Sequence, residues 1–158
     1  MPLVLEILRH GEAEPAGAKG DSARRLSLAG RGTVGALAAS LAQEGWRPDR
    51  IYSSPMLRAL ETAEIVRGAM PQAPAIEHLD ELLPESEPGA VLEALDARGA
   101  AAGHVLLVTH QPLAGRLAGH LAGAMPSFRP GTLVRIDIEA RPGAGRGRVV
   151  RAIDPAGS

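Results

Sequence analysis

A chain of 158 residues with 45% hydrophobic side chains is long enough to bury a core unaided and too apolar to be disordered. A formal net charge of −1 and 2% aromatic residues argue against a nucleic-acid binder, which needs a basic field and stacking rings. The absence of cysteine excludes disulfides and thiolate metal sites and fits a reducing compartment.

Residues 3–8 (L-V-L-E-I-L) predict a short, mostly buried strand that stops at Arg9-His10-Gly11. Residues 13–25, rich in Gly, Ala, Pro and charge, predict a loop. Ser27 is placed to cap a helix running to about Gln43, with Val34, Leu37, Ala38 and Leu41 on one apolar face and Gly45 as its stop. Asp49 to Ser53 reads as a second strand. Ser54-Pro55 predicts a helix start, a cap followed by proline at the first helical position, with Met56, Ala59, Leu60 and Ala63 as the apolar stripe. Pro71 and Pro74 end that helix, and Ala75 to His78 suits an edge strand. An acidic loop at 80–88 precedes a helix around Gly89 to Arg98. His104 to Thr109 is the clearest buried strand, and Leu113, Leu117 and Leu121 mark the helix after it. Val134, Ile136 and Ile138 alternate with Arg135, Asp137 and Glu139, a half-buried strand, and Val149 to Ile153 closes the chain after a turn at 141–148.

Strands alternating with helices predict an α/β three-layer sandwich on a mostly parallel sheet, with the last two strands as an antiparallel edge. No repeat and no interdomain linker interrupts the pattern, so residues 1–158 are expected to form one domain. No basic segment with a long apolar stretch opens the chain, and no apolar run approaches 18 residues. A cytoplasmic protein away from membranes is the expectation.

Three polar clusters fall where strands give way to loops: Arg9-His10-Gly11, Ser53-Ser54-Pro55 with Arg58, and Thr109-His110. In a parallel sheet these junctions share one edge, where ligands bind. Two guanidinium forks and two imidazoles meeting there suit a tetrahedral dianion. A neutral imidazole can attack phosphorus and split one displacement into two through a phosphohistidine. Neighbouring arginine charges disfavour imidazolium and stabilise the negative transition state. Gly11 lets the backbone turn tightly against a phosphate.

L-R-H-G-E at 8–12, S-S-P-M-L-R-A-L-E-T-A at 53–63 and V-T-H-Q-P at 108–112 together resemble the histidine phosphatase superfamily, the phosphoglycerate mutase-like proteins. Asp21-Ser22-Ala23-Arg24-Arg25-Leu26 and Gly30 are similar to the pattern of its small SixA-type phosphohistidine phosphatases. The resemblance runs from residue 3 to about 138. It implies a phosphoglycerate mutase-like fold, His10 as nucleophile, and Arg9, Arg58 and His110 holding the phosphoryl group, His110 by a donated hydrogen bond. The leaving-group acid stays open between Glu81 and Asp21, with Glu85 behind them; the same carboxyl would later activate water.

Only 28 residues separate Glu81 from His110, too few for a helical lid of the kind a mutase needs to exclude water. A phosphatase rather than a mutase is therefore expected; the SixA-type resemblance implies phosphohistidine of a protein as its substrate, with small phosphoesters as the alternative substrate class and a non-catalytic phosphoprotein-binding module as the rival. No cofactor and no metal are expected, since no His/Asp/Glu group shows ligand spacing. The oligomeric state is open. His78, His104 and His120 match no motif and are assigned to packing or surface, as are the arginines at 141, 146, 148 and 151 and the acids at 80, 81, 85 and 87, the last group also bordering the pocket.

Overall fold

A computed structural model describes residues 2–155. The elements follow as β1 (Leu3–Arg9), α1 (Leu28–Gln43), β2 (Arg50–Ser53), α2 (Leu57–Arg67), β3 (Ile76–His78), α3 (Pro88–Ala97), β4 (Gly103–Thr109), α4 (Leu113–Ala122), β5 (Leu133–Ile138) and β6 (Gly147–Ile153). Single 3-10 turns at Asp21–Ala23 and Asp80–Leu82 break what the sequence presents as plain loops. The strands form one six-stranded sheet in the order β3-β2-β4-β1-β5-β6. The first four of these run parallel, while β5 and β6 are antiparallel additions. No helix among the described residues is long and apolar enough to cross a membrane.

Period-two alternation divides the core. Leu3, Leu5 and Ile7 of β1 and Val105 and Leu107 of β4 face α3 and α4, together with Val91, Leu95, Leu113 and Leu117. Leu8, Leu106 and Val108 face α1 and α2, together with Val34, Leu37, Leu41, Ala59, Ala63 and Val66. Leu, Val, Ile and Ala fill both layers, as the scarcity of aromatics requires.

Glu6 falls on the α1/α2 face and is buried in mid-strand. Its Oε1 accepts from Trp46 Nε1 at 2.7 Å and from His104, and its Oε2 accepts from Arg135 Nε and Nη2 at 3.2 and 3.1 Å. Burial alone would raise its pKa, but the hydrogen bonds from His104 and Trp46 and the charge of Arg135 hold it below the ordinary value. His104 thus packs against a carboxylate that the sequence pattern hides inside an apolar run.

The second helix departs from expectation. α2 begins at Leu57, with Met56 as an N-cap that makes no side-chain cap bond, rather than at Ser54-Pro55. The Ser54 hydroxyl accepts from Met56 N but also faces His110, so it is engaged outside the helix. The buried face is Arg58, Ala59, Thr62, Ala63 and Val66, a stripe rotated from the expected Met56-Ala59-Leu60-Ala63 because it includes two polar residues turned inward.

α1 matches expectation: Ser27 accepts from Gly30 N at 3.0 Å and the predicted apolar face is buried. Gly30 itself lets this helix press on the chain just beyond β1, because a Cβ there would collide with the backbone carbonyl of Glu12. Gly32, one residue beyond Arg31 on the exposed side, has nothing within 4 Å of such a Cβ. Gly30→Ala should cost about 2 kcal/mol of stability through overpacking. Gly32→Ala should add about 0.5 kcal/mol by removing backbone freedom from the unfolded chain. Urea unfolding of the two variants checks the opposite signs.

Candidate active site

The parallel register decides where the polar clusters go. Arg9 lies level with Thr109, and Ser53 with Val108. Beyond the strands, His10 N donates to Thr109 O and Ser54 N to Val108 O, both at 3.0 Å. The chain therefore leaves β1, β4 and β2 side by side at one edge, carrying Arg9-His10, His110 and Ser54 with it. Arg58 follows from the first turn of α2.

The side chains meet there. Arg58 Nε points at His10 Nε2 at 3.3 Å, and the His10 and His110 ring centroids are 4.9 Å apart. His10, Arg58 and His110 are all buried, at 8%, 4% and 1% exposure. Arg9 is held by Phe128 O, which accepts from Nη1 at 2.9 Å, while its buried Nε has no protein partner. Gly11 N donates to Thr62 Oγ1 at 3.1 Å, and that hydroxyl donates to Arg58 O at 2.8 Å, binding the turn after β1 to α2. A Cβ on Gly11 would stand 2.7 Å from Val34 Cγ2, so the close approach of turn and helix needs glycine.

Hydrogen bonding assigns the His10 tautomer. Nδ1 lies 2.7 Å from Gly11 O, and a carbonyl can only accept, so Nδ1 carries the proton. In the neutral ring Nε2 is then a bare lone pair, the group that Arg58 Nε donates to. Burial pushes the His10 pKa from 6.5 down to about 4, and the charges of Arg58 and Arg9 push the same way against the Gly11 bond. His110 is lowered from 6.5 to about 3 by burial first, then by His10 and Arg58. The neutrality that the sequence ascribes to arginine charge thus owes most to desolvation.

The candidate acids differ in surroundings. Asp21 Oδ2 accepts from Arg58 Nη2 at 3.3 Å, its backbone O from Arg58 Nη1 at 2.9 Å, and its Oδ1 from Arg24 Nη1 at 3.2 Å. Arg24 first, and Arg58 with it, hold this exposed carboxyl below its ordinary value. Glu81 sits on the 3-10 turn that Thr109 Oγ1 anchors by donating to Leu82 O at 2.6 Å, so its turn reaches the same sheet edge. Glu81 is half-buried and its carboxylate makes no hydrogen bond or ion pair among the described residues, and Glu85 is exposed two residues beyond Leu83. His78 and His120 lie on β3 and in the last turn of α4, apart from these bonds. Sequence reasoning missed Thr62 and the Phe128 carbonyl, and it placed Ser54 in the cluster at this edge without its bond to His110. Ser54 carries a signal, the S-S-P block, but one that reads as a helix cap.

Comparison with known proteins identifies the family and the fold. Residues 5–90 match the family model of the histidine phosphatase superfamily (branch 1). Phosphohistidine phosphatase SixA of Escherichia coli (strain K12) is 36% identical over 118 residues, 73% of this chain and 71% of that protein. The structure of the protein histidine phosphatase SixA complexed with tungstate superposes with a TM-score of 0.85 at 28% identity, covering 96% of this chain and 97% of that one. A phosphoglycerate mutase from Plasmodium falciparum, at TM-score 0.66 and 16% identity over 99% of this chain and 91% of its own, shares the fold. The chain belongs to the histidine phosphatase superfamily.

The buried imidazoles make stability depend on pH. Between pH 6.5 and about 4 the unfolded state protonates His10 and His110 while the folded state does not. The unfolded state therefore binds more protons there, and stability falls as pH falls through that window. His110→Gln removes one such group, so its urea midpoint should drop less than that of the wild type over the same range.

Proposed function

We propose that this chain is a phosphohistidine phosphatase that works through a covalent phosphohistidine at His10. One observation carries the mechanism: His10 is buried and neutral, with Nδ1–H on Gly11 O and Nε2 bare before Arg58. Such an unprotonated nitrogen is a nucleophile, its lone pair held by Arg58 Nε–H until a phosphoryl group takes that place.

The Nε2 lone pair bonds to phosphorus as the substrate's P–N bond breaks, and the leaving imidazole keeps the bonding pair. Arg9, Arg58 and His110 hold the phosphoryl oxygens through charge and hydrogen bonds. The positive charge on the phosphorylated His10 ring is shared with Gly11 O through Nδ1–H. Water then attacks phosphorus, gives its proton to a carboxylate, and the Nε2–P bond returns its pair to His10 with release of inorganic phosphate.

Glu81 suits the carboxylate role better than Asp21. An acid held ionised by two arginines is a poor proton donor, whereas it can aim Arg58. Glu81 has no ion-pair partner among the described residues and lies on a turn anchored at the sheet edge. A leaving imidazole that is already protonated asks little of an acid, in keeping with one carboxylate on a short turn.

Phosphohistidine as substrate is supported by the named activity of the Escherichia coli relative, and a tetrahedral oxyanion by the tungstate complex. The stretch between Glu81 and His110 is filled by α3 and β4, without added helices to cover the site. That openness suits a phosphoryl group carried on a protein.

His10→Ala should abolish turnover of a phosphohistidine peptide, and mass spectrometry of rapidly quenched wild type under acid-avoiding conditions should map phosphate to His10. Unchanged turnover in the variant would remove His10 from the mechanism. Glu81→Gln should slow phosphorylation of His10 by a small alkyl phosphate about 100-fold, the usual worth of a general acid, and phosphorylation by the phosphohistidine peptide far less, as rapid-quench measurement of the first step would read. Asp21→Asn should chiefly raise KM for both.

A further inference from the structure

His110 is buried, and its two ring nitrogens have different surroundings. Nε2 lies 2.7 Å from Ser54 Oγ, while Nδ1 is buried without a protein partner. Ser54 is fully buried as well. Its Oγ receives a second contact, from Met56 N at 3.2 Å, and no third among the described residues.

A hydroxyl has one proton and two lone pairs. The Met56 N–H can only donate, so it occupies a lone pair of Oγ. The hydroxyl proton then has one acceptor within reach, His110 Nε2. The reverse arrangement, Nε2–H donating to Oγ, would bring two donors to the same oxygen. It would also strand the hydroxyl proton in a dry site, at the cost of an unsatisfied buried donor. A bare Nε2 satisfies all three groups and leaves one unpaired, the proton that the neutral ring then carries on Nδ1, whereas the reverse leaves two, the hydroxyl proton and the Nδ1 lone pair.

We propose that Ser54 is a positioning residue: its hydroxyl locks neutral His110 in the Nδ1–H tautomer, so that His110 offers a donor rather than a lone pair to the phosphoryl group. The consequence for catalysis rests on the phosphatase reading; the tautomer itself does not. The neighbouring donor is consistent with this purpose, since Arg9 Nε is likewise buried without a protein partner. With the opposite tautomer, a lone pair at Nδ1 would repel a phosphoryl oxygen. The same device acts on His10, where a backbone carbonyl rather than a hydroxyl selects Nδ1–H. Two facing imidazoles thereby take opposite roles: His10 presents a bare Nε2, His110 a protonated Nδ1.

Nitrogen-15 NMR of histidine-labelled, ligand-free protein at neutral pH tests this, because protonated and bare ring nitrogens resonate far apart. The expected spectrum of the wild type has His110 Nδ1 protonated and Nε2 bare. In Ser54→Ala both tautomers should appear. Its kcat/KM on a phosphohistidine peptide should fall about tenfold to hundredfold, with inhibition by inorganic phosphate weakened to match. Ser54→Thr, which keeps the hydroxyl, should restore the tautomer and most of the rate. A protonated Nε2 in the wild type overturns the proposal outright, whether or not any variant folds. An unchanged His110 tautomer in Ser54→Ala overturns it as well. A wild type with no turnover on any phosphorylated substrate would remove the phosphatase reading, while the wild-type spectrum would still decide the tautomer.

Discussion

Everything at this site depends on three parallel strands ending in step. β1, β4 and β2 are neighbours, and their pairing sets Arg9 beside Thr109 and Ser53 beside Val108. A slip of one residue would turn every side chain to the opposite face. His10 and His110 could not then face each other, and the Ser54 hydroxyl would lose its ring nitrogen. Apolar alternation resists such a slip, since Leu5 and Ile7 belong to one core layer and Leu8 to the other. Packing far from the chemistry thus holds the chemistry in register.

Within that frame the site uses burial as its main electrostatic tool. Water is kept from both imidazoles, and desolvation lowers their proton affinity more than the nearby guanidiniums do. Hydrogen bonds then select which nitrogen stays bare. The arrangement sacrifices stability in acid, as sites tuned for function commonly do. Glu6 shows the contrasting solution: a buried charge whose oxygens are all engaged, by Trp46, His104 and Arg135. Full satisfaction makes a structural group there, whereas Arg9 Nε and His110 Nδ1 are buried without a protein partner.

The strand ends and their cargo were legible because strand periodicity and the R-H-G, S-S-P and T-H-Q blocks coincide. The helix over 28–43 was legible from its cap and its four apolar positions. The start of α2 was not, because serine followed by proline has the composition of a cap wherever it occurs; only the approach of His110, 56 positions later, diverts that hydroxyl. Thr62 reads as one polar residue on a helix until Gly11, 51 positions away, donates to it. Glu6 is likewise one acid in an apolar run, and its three partners come from β4, β5 and the segment after α1. What local pattern cannot carry is a hydrogen bond between distant segments, such as the one that sets Asp21 against Arg58.

The loop before β5 finishes the floor of the site. Gly131 N lies 3.0 Å from both Arg9 O and His10 O, and Thr132 O accepts from Arg9 N at 3.0 Å. Gly131 holds φ at +89°, a conformation other residues rarely adopt. Phe128 O steadies the Arg9 guanidinium from the same loop. His10, the proposed nucleophile, is therefore tied by its own backbone to Gly131. Closing so long a loop carries a chain-entropy cost that local contacts do not. The R-H-G motif alone is therefore no site: Arg9 and His10 take their places only where the antiparallel edge supplies the carbonyl and amide groups of residues 128–132.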